Sequence, residues 1–534
     1  MVSSSQDPSP FASPDRAGLS RRGFLGLTAT ALGSLPLLGA CTSSSSPSPS
    51  PSHSKGTPKK GGSLSVGVTS GGSSETLDPN KIFNVIDGAR IAQIYDTAYV
   101  LDNNGRTVPS LVQDATPGTT AWKLRVRDGV TFHDGSPLTA ADLAWTYNWV
   151  LKNASAAGHG YLVGARVKSA RANDKTTLTI ELDQPNYLLD QALSQIQLSI
   201  FPNNTHPGAG GKFIGTGPFK LDRFAATQRA VFTAYPQYWG TAPYLSGLQI
   251  ISVSDPDALP NALRSGQVDA VASIAFEQIA SFKTNSRFTV YDTESGNCNP
   301  HAMNTQAAPY NDPRVRKAMR LLVDREQQLT NAVNGQGKIG NDLFSWFDPY
   351  YDSSLPQISY DPEQAKSLLK AAGMESAAFE LFTSNGVPGL TASANLLAAS
   401  AKKAGVNLTV RQVPSDSYFT TTYLKKPFYG TQWPGELMSQ MFNSVFTANA
   451  PYPEIGWKDS QWSTLWNKAL ATSDETNRKN LIHDAQKILH DGTGYIIPVF
   501  TNNSDVARTN IAGLKSSPLG PLGSFDFRGV WIES

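Results

Sequence analysis

The sequence predicts a mixed α/β protein built from two or three domains. Strand patterns begin with Leu64, Val66 and Val68, which alternate with small residues in GSLSVGVTS. Helix patterns with capping residues lie between the strand patterns, and the chain has no short internal repeat. About 470 residues remain after the N-terminal region, which is more than one hydrophobic core usually serves.

Residues 1–40 have the layout of an export signal. Arg21 and Arg22 precede the stretch Gly23–Ala40, which has no charged residue. A basic start, an apolar middle and small residues before a cleavage point are typical of signal peptides. The arginine pair followed by Gly-Phe-Leu resembles the twin-arginine export motif. A transmembrane helix is the alternative, but a proline and glycines interrupt the roughly 20 apolar residues that a span requires.

A cysteine follows this stretch and precedes a Ser/Pro-rich tract. LGAC, which ends at Cys41, resembles the lipobox of bacterial lipoproteins, so Cys41 is the predicted lipidated first residue of the mature chain. Plain secretory cleavage near residue 40 is the alternative. Residues 41–61 lack the apolar content that would offset the entropy of ordering. A Pro-rich tether extends by about 3.1 Å per residue, so this tract is predicted to hold a globular body away from a membrane.

The segment 122–151 carries the clearest local pattern. Apolar residues alternate at 122–126 and again at 130–132 across an Asp-Gly turn signal, which predicts a β-hairpin. Thr139 then predicts the start of a helix, with Asp142 three residues further on in a capping box. The predicted buried face of this helix consists of Leu143, Tyr147, Val150 and Leu151.

Two further helices are predicted to begin at Asp-Pro pairs. Asp312 and Asp361 are the expected caps, and Pro313 and Pro362 occupy the first turns. Near the C-terminus, YIIPVF at 495–500 predicts a single continuous apolar strand. The element order is that of a mixed α/β chain.

The composition argues against several classes of function. The formal net charge is +2, and three Arg against two Asp in the first 40 residues leave +1 for the rest of the chain. A nucleic-acid-binding protein needs a basic face to neutralise phosphates. No HExxH, GxSxG or GxxxxGK[ST] motif occurs, and the seven His residues are scattered. We therefore expect a protein that is not an enzyme, binds no nucleic acid and carries no metal site or cofactor.

Several segments resemble those of the family 5 extracellular solute-binding proteins, the peptide- and nickel-type receptors of bacterial ABC importers. The strongest is WKLRVRDGVTFHDGSPLTAAD at 122–142. Other segments follow in the family's order: LDPNKI (77–82), IGTGPFKLDRF (214–224), ALRSGQVDA (262–270), MNTQAAPYNDPRVRKAM (303–319) and YDPEQAKSLLKAAG (360–373). The resemblance covers the chain from about Gly61 to the C-terminus.

This resemblance implies an α/β, two-lobed fold of the periplasmic-binding-protein type II, peptide-binding cluster, with an extra inserted subdomain and a hinge cleft. Lobe I would comprise residues 62–300 and 499–534, with the inserted subdomain near 92–205. Lobe II would comprise residues 301–498. The implied partners are a ligand held in the cleft and the permease subunits of the importer. The receptor is expected to act as a monomer, lipid-anchored on the outer face of the cytoplasmic membrane.

The resemblance also implies a binding site on lobe II. In peptide-binding members, an acidic residue shortly after a Trp pairs with the α-ammonium of the peptide. The equivalent stretch is GTQWPGELMSQ, so Trp433 and Glu436 are the candidates, with Gly435 between them. A desolvated ammonium needs an opposite charge and hydrogen bonds. The alternatives are a solvated surface carboxylate for Glu436 and a core or cleft-wall position for Trp433.

On lobe I, the resemblance implies that Phe83, Asn84 and Val85 line the cleft. Asn304, near a crossing between the lobes, either contacts ligand or has a structural role. Aromatic residues at 346–351 either line a pocket or belong to the core.

The predicted function is capture of oligopeptides or other small amine-bearing solutes for an ABC importer. Within the same family, the alternative ligands are a sugar conjugate, an opine-like compound or a metal chelate. An exported lipoprotein hydrolase is the alternative from a different class, and the missing nucleophile–base and metal motifs argue against it. A binding protein that serves as a surface sensor is the third alternative.

Overall fold

The computed structural model describes residues 56–533. Fifteen α-helices lie within these described residues. The helices are α1 (Val85–Ile94), α2 (Ala140–Lys152), α3 (His159–Gly164), α4 (Leu189–Leu193), α5 (Leu259–Ser265), α6 (Ile279–Lys283), α7 (Pro313–Leu321), α8 (Arg325–Ala332), α9 (Pro362–Ala371), α10 (Leu390–Lys403), α11 (Ser415–Thr421), α12 (Met438–Met441), α13 (Ser460–Leu470), α14 (Glu475–Gly492) and α15 (Pro521–Ser524).

Strands lie between these helices, singly or in short runs. The strands are β1 (Ser63–Thr69), β2 (Tyr99–Leu101), β3 (Thr107–Pro109), β4 (Val112–Thr116), β5 (Ala121–Val126), β6 (Val167–Ala172), β7 (Thr177–Leu182), β8 (Phe219–Ala225), β9 (Arg229–Ala234), β10 (Gly247–Val253), β11 (Ala270–Val271), β12 (Phe288–Cys298), β13 (His301–Met303), β14 (Gly337–Ile339), β15 (Ala378–Thr383), β16 (Asn407–Gln412), β17 (Phe428–Gly430), β18 (Tyr495–Ile496), β19 (Val499–Arg508), β20 (Ile511–Ala512) and β21 (Trp531–Ile532).

The larger sheet has the strand order β12-β19-β11-β1-β10-β9-β8, with β14 paired to β19. Leu64 and Val66 of β1 are fully buried, and they share a hydrophobic cluster with Ile86 and Ile94 of α1. A four-stranded sheet in the order β4-β5-β7-β6 covers a separate cluster together with α2. We call these two sheets and their helices the first lobe.

The second lobe surrounds a five-stranded sheet in the order β16-β15-β17-β13-β18. Its core includes Leu381 of β15, Val315 of α7 and Leu397 of α10, all fully buried. The chain first passes from the first large sheet to the second between β12 and β13, and it returns for the last time between β18 and β19. Strand β14 lies within the range 301–498 and nevertheless pairs with β19 of the first lobe.

The helix starts predicted from capping residues are confirmed. Helix α2 begins after Thr139, whose backbone N donates to the Asp142 carboxylate at 2.7 Å. Asp312 accepts from the backbone N of Arg314 at the start of α7, and Asp361 caps α9 in the same way. A side-chain oxygen at this position satisfies a backbone donor that the helix leaves unpaired.

The β-hairpin predicted over 122–132 is wrong. Strand β5 pairs with β4 and β7 instead, and residues 130–132 form no named strand. Val130 and Phe132 are each 1% exposed and pack in the same cluster as Trp122. The alternation of apolar and polar residues at 130–132 therefore arises because Val130 and Phe132 are buried in this core. Buried side chains in a loop can produce the alternating pattern that is typical of a strand.

The single strand predicted over 495–500 is also wrong, because this run is divided between the two sheets. Strand β18 ends at Ile496 and belongs to the second lobe, whereas β19 begins at Val499 and belongs to the first. Pro498 lies between them and lacks a backbone N–H, which removes a donor from any continuous ladder. The apolar run is one of the connections between the lobes.

The predicted signal peptide, the predicted lipidation site Cys41 and the predicted tether as far as residue 55 lie outside the described residues. Among the helices of residues 56–533, none combines the length and hydrophobicity that crossing a bilayer requires. Cys298 is 1% exposed, and burial raises the pKa of its thiol well above the usual value. A buried thiol of this kind is unreactive.

Candidate functional site

A cavity of about 500 Å³ lies between the two lobes. One wall comes from residues 80–83, from α3 and from the segment 186–197. The opposite wall comes from residues 433–444 and from Tyr452. Small-molecule sites typically have volumes of about 300–1,000 Å³, so this interlobe cavity has the size of a small-solute site.

Three of the sequence-predicted site residues line the interlobe cavity: Phe83, Trp433 and Glu436. Phe83 lies on the first-lobe side with 40% of its surface exposed. Trp433 and Glu436 lie on the opposite side, with exposures of 6% and 5%. Glu436 is therefore a buried group and not a solvated surface carboxylate.

The remaining predicted residues lie outside the cavity wall and have local roles. The Asn84 side chain accepts a hydrogen bond from the backbone N of Asp87 at 3.0 Å and caps α1, whose first residue is Val85. The Asn304 side chain accepts from the backbone N of Gln306 at 2.9 Å. These contacts organise the loops and helix ends next to the site.

Gly435 belongs to a segment that is fixed against the end of β12. Trp433 N donates to the Cys298 carbonyl at 2.8 Å, and Cys298 N donates to the Trp433 carbonyl at 2.9 Å. A Cβ atom on Gly435 would lie 3.1 Å from the Cα of Gly296, so the two backbones approach each other closely. Because β12 belongs to the first-lobe sheet, the segment with Trp433 and Glu436 is held at the junction of the lobes.

A second buried carboxylate, Glu454, lies behind Trp433. It accepts hydrogen bonds from Tyr495 Oη at 2.7 Å, Thr431 Oγ1 at 2.8 Å, Tyr423 Oη at 3.0 Å and Trp433 Nε1 at 3.1 Å. Burial raises the pKa of Glu454, although the four hydrogen bonds oppose this shift. The bond to Nε1 fixes the orientation of the Trp433 indole. Sequence reasoning missed Glu454, since no spacing or periodicity in APYPEIGW distinguishes it.

Aromatic rings form much of the wall around Glu436. The rings of Tyr452 and Trp433 meet edge to face, with centroids 5.5 Å apart. Burial, followed by the charges of Glu436 and Glu454, raises the pKa of Tyr452. The carboxylate charge of Glu436 thus acts on the aromatic wall of the cavity.

Glu436 is the one carboxylate among the described residues that line the interlobe cavity. Among the described residues, no arginine lines it, and its lysine is Lys81. The Lys81 side chain is 76% exposed and lies 3.6 Å from an Asp78 carboxylate oxygen, so it faces solvent with a partner. Within residues 56–533, no group of three or more His, Cys, Asp or Glu side chains is placed to hold a metal ion.

Hydrogen bonds join the two walls beside the cavity. Gln440 Nε2 donates to the Gln191 carbonyl at 3.0 Å, and Asn443 Nδ2 donates to the Gly164 carbonyl at 3.2 Å. The second lobe therefore contacts α3 and α4 directly, and the cavity is enclosed by both. A site enclosed between two lobes is typical of receptors that close around a ligand.

The fold and this enclosed site define the class of ligand-binding receptors. The model described as "Bacterial extracellular solute-binding proteins, family 5 Middle" matches residues 106–452. The chain belongs to the bacterial extracellular solute-binding proteins, family 5, which confirms the family indicated by the sequence motifs.

Individual relatives are similar to this chain over most of their own length. The nickel-binding periplasmic protein of Escherichia coli K12 is 25% identical over 468 residues, 80% of this chain and 87% of the relative. Di/tripeptide-binding protein 4 of Pseudomonas aeruginosa is 27% identical over 497 residues, 81% and 91% of the two chains. By name, both relatives are binding proteins.

A solved structure shares the fold. The periplasmic binding protein DppA of Helicobacter pylori, in complex with the peptide STSA, superposes with a TM-score of 0.76. The likeness covers 89% of this chain and 99% of DppA at 20% sequence identity. The two-lobed α/β fold predicted for the chain is confirmed.

Proposed function

We propose that this protein captures oligopeptides or other small amine-bearing solutes in the interlobe cavity and delivers them to the permease subunits of an ABC importer. The observation that carries the proposal is the buried carboxylate of Glu436 in a cavity that, among the described residues, no arginine lines. Peptide-binding and nickel-binding relatives in the same family support a small ligand. The protein performs no bond chemistry in this scheme.

The chemistry of Glu436 favours a cationic group on the ligand. An ammonium that leaves water needs an opposite charge and hydrogen bonds to offset the loss of solvation. Trp433 and Tyr452 add aromatic surface beside the carboxylate, and such rings attract cations. Ligand that contacts both walls stabilises the closed arrangement by its higher affinity for that state.

Replacing Glu436 by glutamine should weaken binding of the probe peptide trialanine by about 30-fold or more, because removal of one charge from a desolvated pair costs about 2–5 kcal/mol. N-acetylation of trialanine should weaken its binding to the unmodified protein by a similar factor. Isothermal titration calorimetry on the purified protein measures both effects. The matched control is Glu380→Gln, which changes an exposed carboxylate paired with Arg411 and should leave affinity unchanged.

Equal affinity of Glu436→Gln and the unmodified protein for trialanine would show that Glu436 does not bind the ammonium. Tight binding of N-acetyl-trialanine would contradict the amine requirement in the same experiment. Failure of the unmodified protein to bind trialanine would argue against peptides as the ligand class and favour a non-peptide solute.

The lobe boundaries also enter this proposal. We place lobe I at 62–300 and 499–534, with the inserted subdomain near 92–205, and lobe II at 301–498. The passages from β12 to β13 and from β18 to β19 support the boundaries, and the separate four-stranded sheet supports the subdomain. Domain closure would then occur by rotation about the connections between the lobes.

The export and anchoring scheme rests on the sequence alone. A signal peptide over 1–40, a lipid on Cys41 and an extended tether to residue 61 would keep the receptor beside its importer. Replacing Cys41 by serine should release the protein into the medium, as measured by immunoblots of membrane and medium fractions. Retention of Cys41→Ser in the membrane fraction would contradict the lipid anchor.

A further inference from the structure

The amide side chains in the interlobe cavity fall into two groups. Those in the first group form hydrogen bonds within the protein. Asn186 Nδ2 donates to the Ala165 carbonyl at 3.0 Å, and the Asn186 Oδ1 accepts from the backbone N of Leu188. Asn443 likewise donates to a carbonyl through Nδ2 and accepts from the Trp466 indole through Oδ1. These amides shape the wall.

Asn80 and Gln197 form the second group. Both line the cavity and each is 3% exposed. Among the described residues, neither Nδ2 nor Oδ1 of Asn80 has a hydrogen-bond partner, and the same holds for Oε1 of Gln197. The Nε2 of Gln197 donates to the Tyr161 hydroxyl at 3.4 Å. Buried polar atoms without partners are uncommon in folded proteins, because leaving such an atom unpaired is unfavourable.

Two short 3₁₀ turns hold these amides in place. Asn80 lies in the turn Pro79–Lys81, where its backbone N donates to Asp78 Oδ1 at 3.0 Å and its carbonyl accepts from Ala157 N at 2.9 Å. Gln197 lies in the turn Ile196–Leu198, which contacts the first turn. The backbone around both amides is therefore fixed before ligand arrives, and preorganisation of this kind reduces the entropy lost on binding.

We infer that Asn80 and Gln197 form a second subsite that recognises an uncharged group able both to donate and to accept hydrogen bonds, such as a carboxamide or a hydroxyl. This inference rests on the proposed function, in which Glu436 binds the amine of the same ligand. The peptide bond of a longer peptide belongs to this class of group. A terminal carboxylate does not.

The charges around the subsite exclude a carboxylate as its preferred ligand. An ionised carboxylate that leaves water requires a cation or several donors. Among the described residues no arginine lines the cavity, and Lys81 is exposed and paired with Asp78. The two amides carry no net charge, so they supply no positive charge to offset the desolvation of a carboxylate.

The test compares L-alanyl-L-phenylalanine with its C-terminal amide. Both probes keep the ammonium and the peptide bond, and they differ only in the C-terminal group, which is a carboxylate in one and a carboxamide in the other. We expect the amide to bind the purified protein at least about 10-fold more tightly in isothermal titration calorimetry, a difference that corresponds to about 1.4 kcal/mol. In Asn80→Leu and in Gln197→Leu, the preference for the amide should fall below about 3-fold, because each variant removes one polar partner.

The control variant is Asn104→Leu, which changes an exposed amide away from the cavity and should keep the full preference. Equal or tighter binding of the free acid by the unmodified protein would overturn the subsite and leave the proposed function intact. Binding of neither probe would overturn the subsite as a site for peptide amides and, as with trialanine, would argue against peptides as the ligand class. The comparison of the two probes on the unmodified protein does not depend on how well the variants fold.

Discussion

Replacing Asp342 by asparagine should lower the free energy of unfolding by about 3–5 kcal/mol, because it leaves two buried arginines without their anion. The Asp342 side chain is fully buried and accepts from Arg320 Nε at 2.7 Å and from Arg325 Nη2 at 2.9 Å. Asparagine keeps nearly the same shape, so the expected loss comes from charge and not from a cavity.

Asp342 also holds one of the chain segments that connect the two lobes. Its Oδ1 accepts from the backbone N of Ile497, which lies between β18 and β19. Arg320 also donates to the carbonyl of His490 at the end of α14. The ion cluster therefore ties α7, α8 and α14 to the segment where the chain returns to the first lobe.

Urea unfolding at pH 7, followed by circular dichroism, measures the free energy of unfolding of Asp342→Asn and of the unmodified protein. The control is Glu294→Gln, which removes an exposed ion pair with Lys338 and should cost less than about 1 kcal/mol. Burial alone would raise the pKa of Asp342, but Arg325 and Arg320 hold it below the usual value. The cost of the substitution should consequently shrink as the pH falls below about 4. A loss no larger than that of the control would contradict the structural role of the cluster.

The sequence was most informative where local chemistry determines local structure. Asp312 and Asp361 each precede a proline and begin helices as predicted, because capping depends on residues within one turn. The alternating residues at 130–132 and the apolar run at 495–500 misled the prediction, because burial by distant segments determines them. Pairing partners such as β14 with β19 depend on the complete chain and leave no local pattern.

At the candidate site, too, local motifs were informative and contacts between distant segments were not. Trp433 and Glu436 were found through a family motif, and both line the cavity. Glu454, Asn80 and Gln197 were missed because their surroundings come from segments far apart in the sequence. A buried carboxylate and an unpartnered amide are recognised by their burial and their hydrogen-bond partners, and a sequence pattern supplies neither.

The pH dependence of stability should reveal a second buried ion cluster, centred on Glu75. Its fully buried carboxylate accepts from Arg90 Nη1 at 2.6 Å, from Ser70 Oγ at 2.8 Å, from Thr227 N at 2.9 Å and from Ser252 Oγ. Burial alone would raise the pKa of Glu75, but the hydrogen bonds and the charge of Arg90 outweigh this and lower the pKa to about 2.

A folded-state pKa below the unfolded value means that the ionised form stabilises the fold. The pKa of Glu75 falls from 4.5 to about 2, so its contribution is fully present above about pH 4.5 and is lost as the pH falls towards 2. The size of this shift corresponds to about 3 kcal/mol at pH 7. Glu75→Gln should therefore be about 3 kcal/mol less stable than the unmodified protein at pH 7, and the difference should shrink by about 1 kcal/mol at pH 3.5.

Urea unfolding of Glu75→Gln at pH 7, 5 and 3.5 measures this trend against Glu363→Gln, whose carboxylate is 82% exposed. The control should show little loss at any pH, because exposed ion pairs contribute about 0–1 kcal/mol. A loss in Glu75→Gln that stays constant with pH would mean that shape, and not charge, accounts for the contribution. A loss of stability that becomes smaller as the pH falls would show that ionised Glu75 makes the contribution. Glu75 joins the loop after β1 to α1, to the turn before β9 and to β10 of the first lobe.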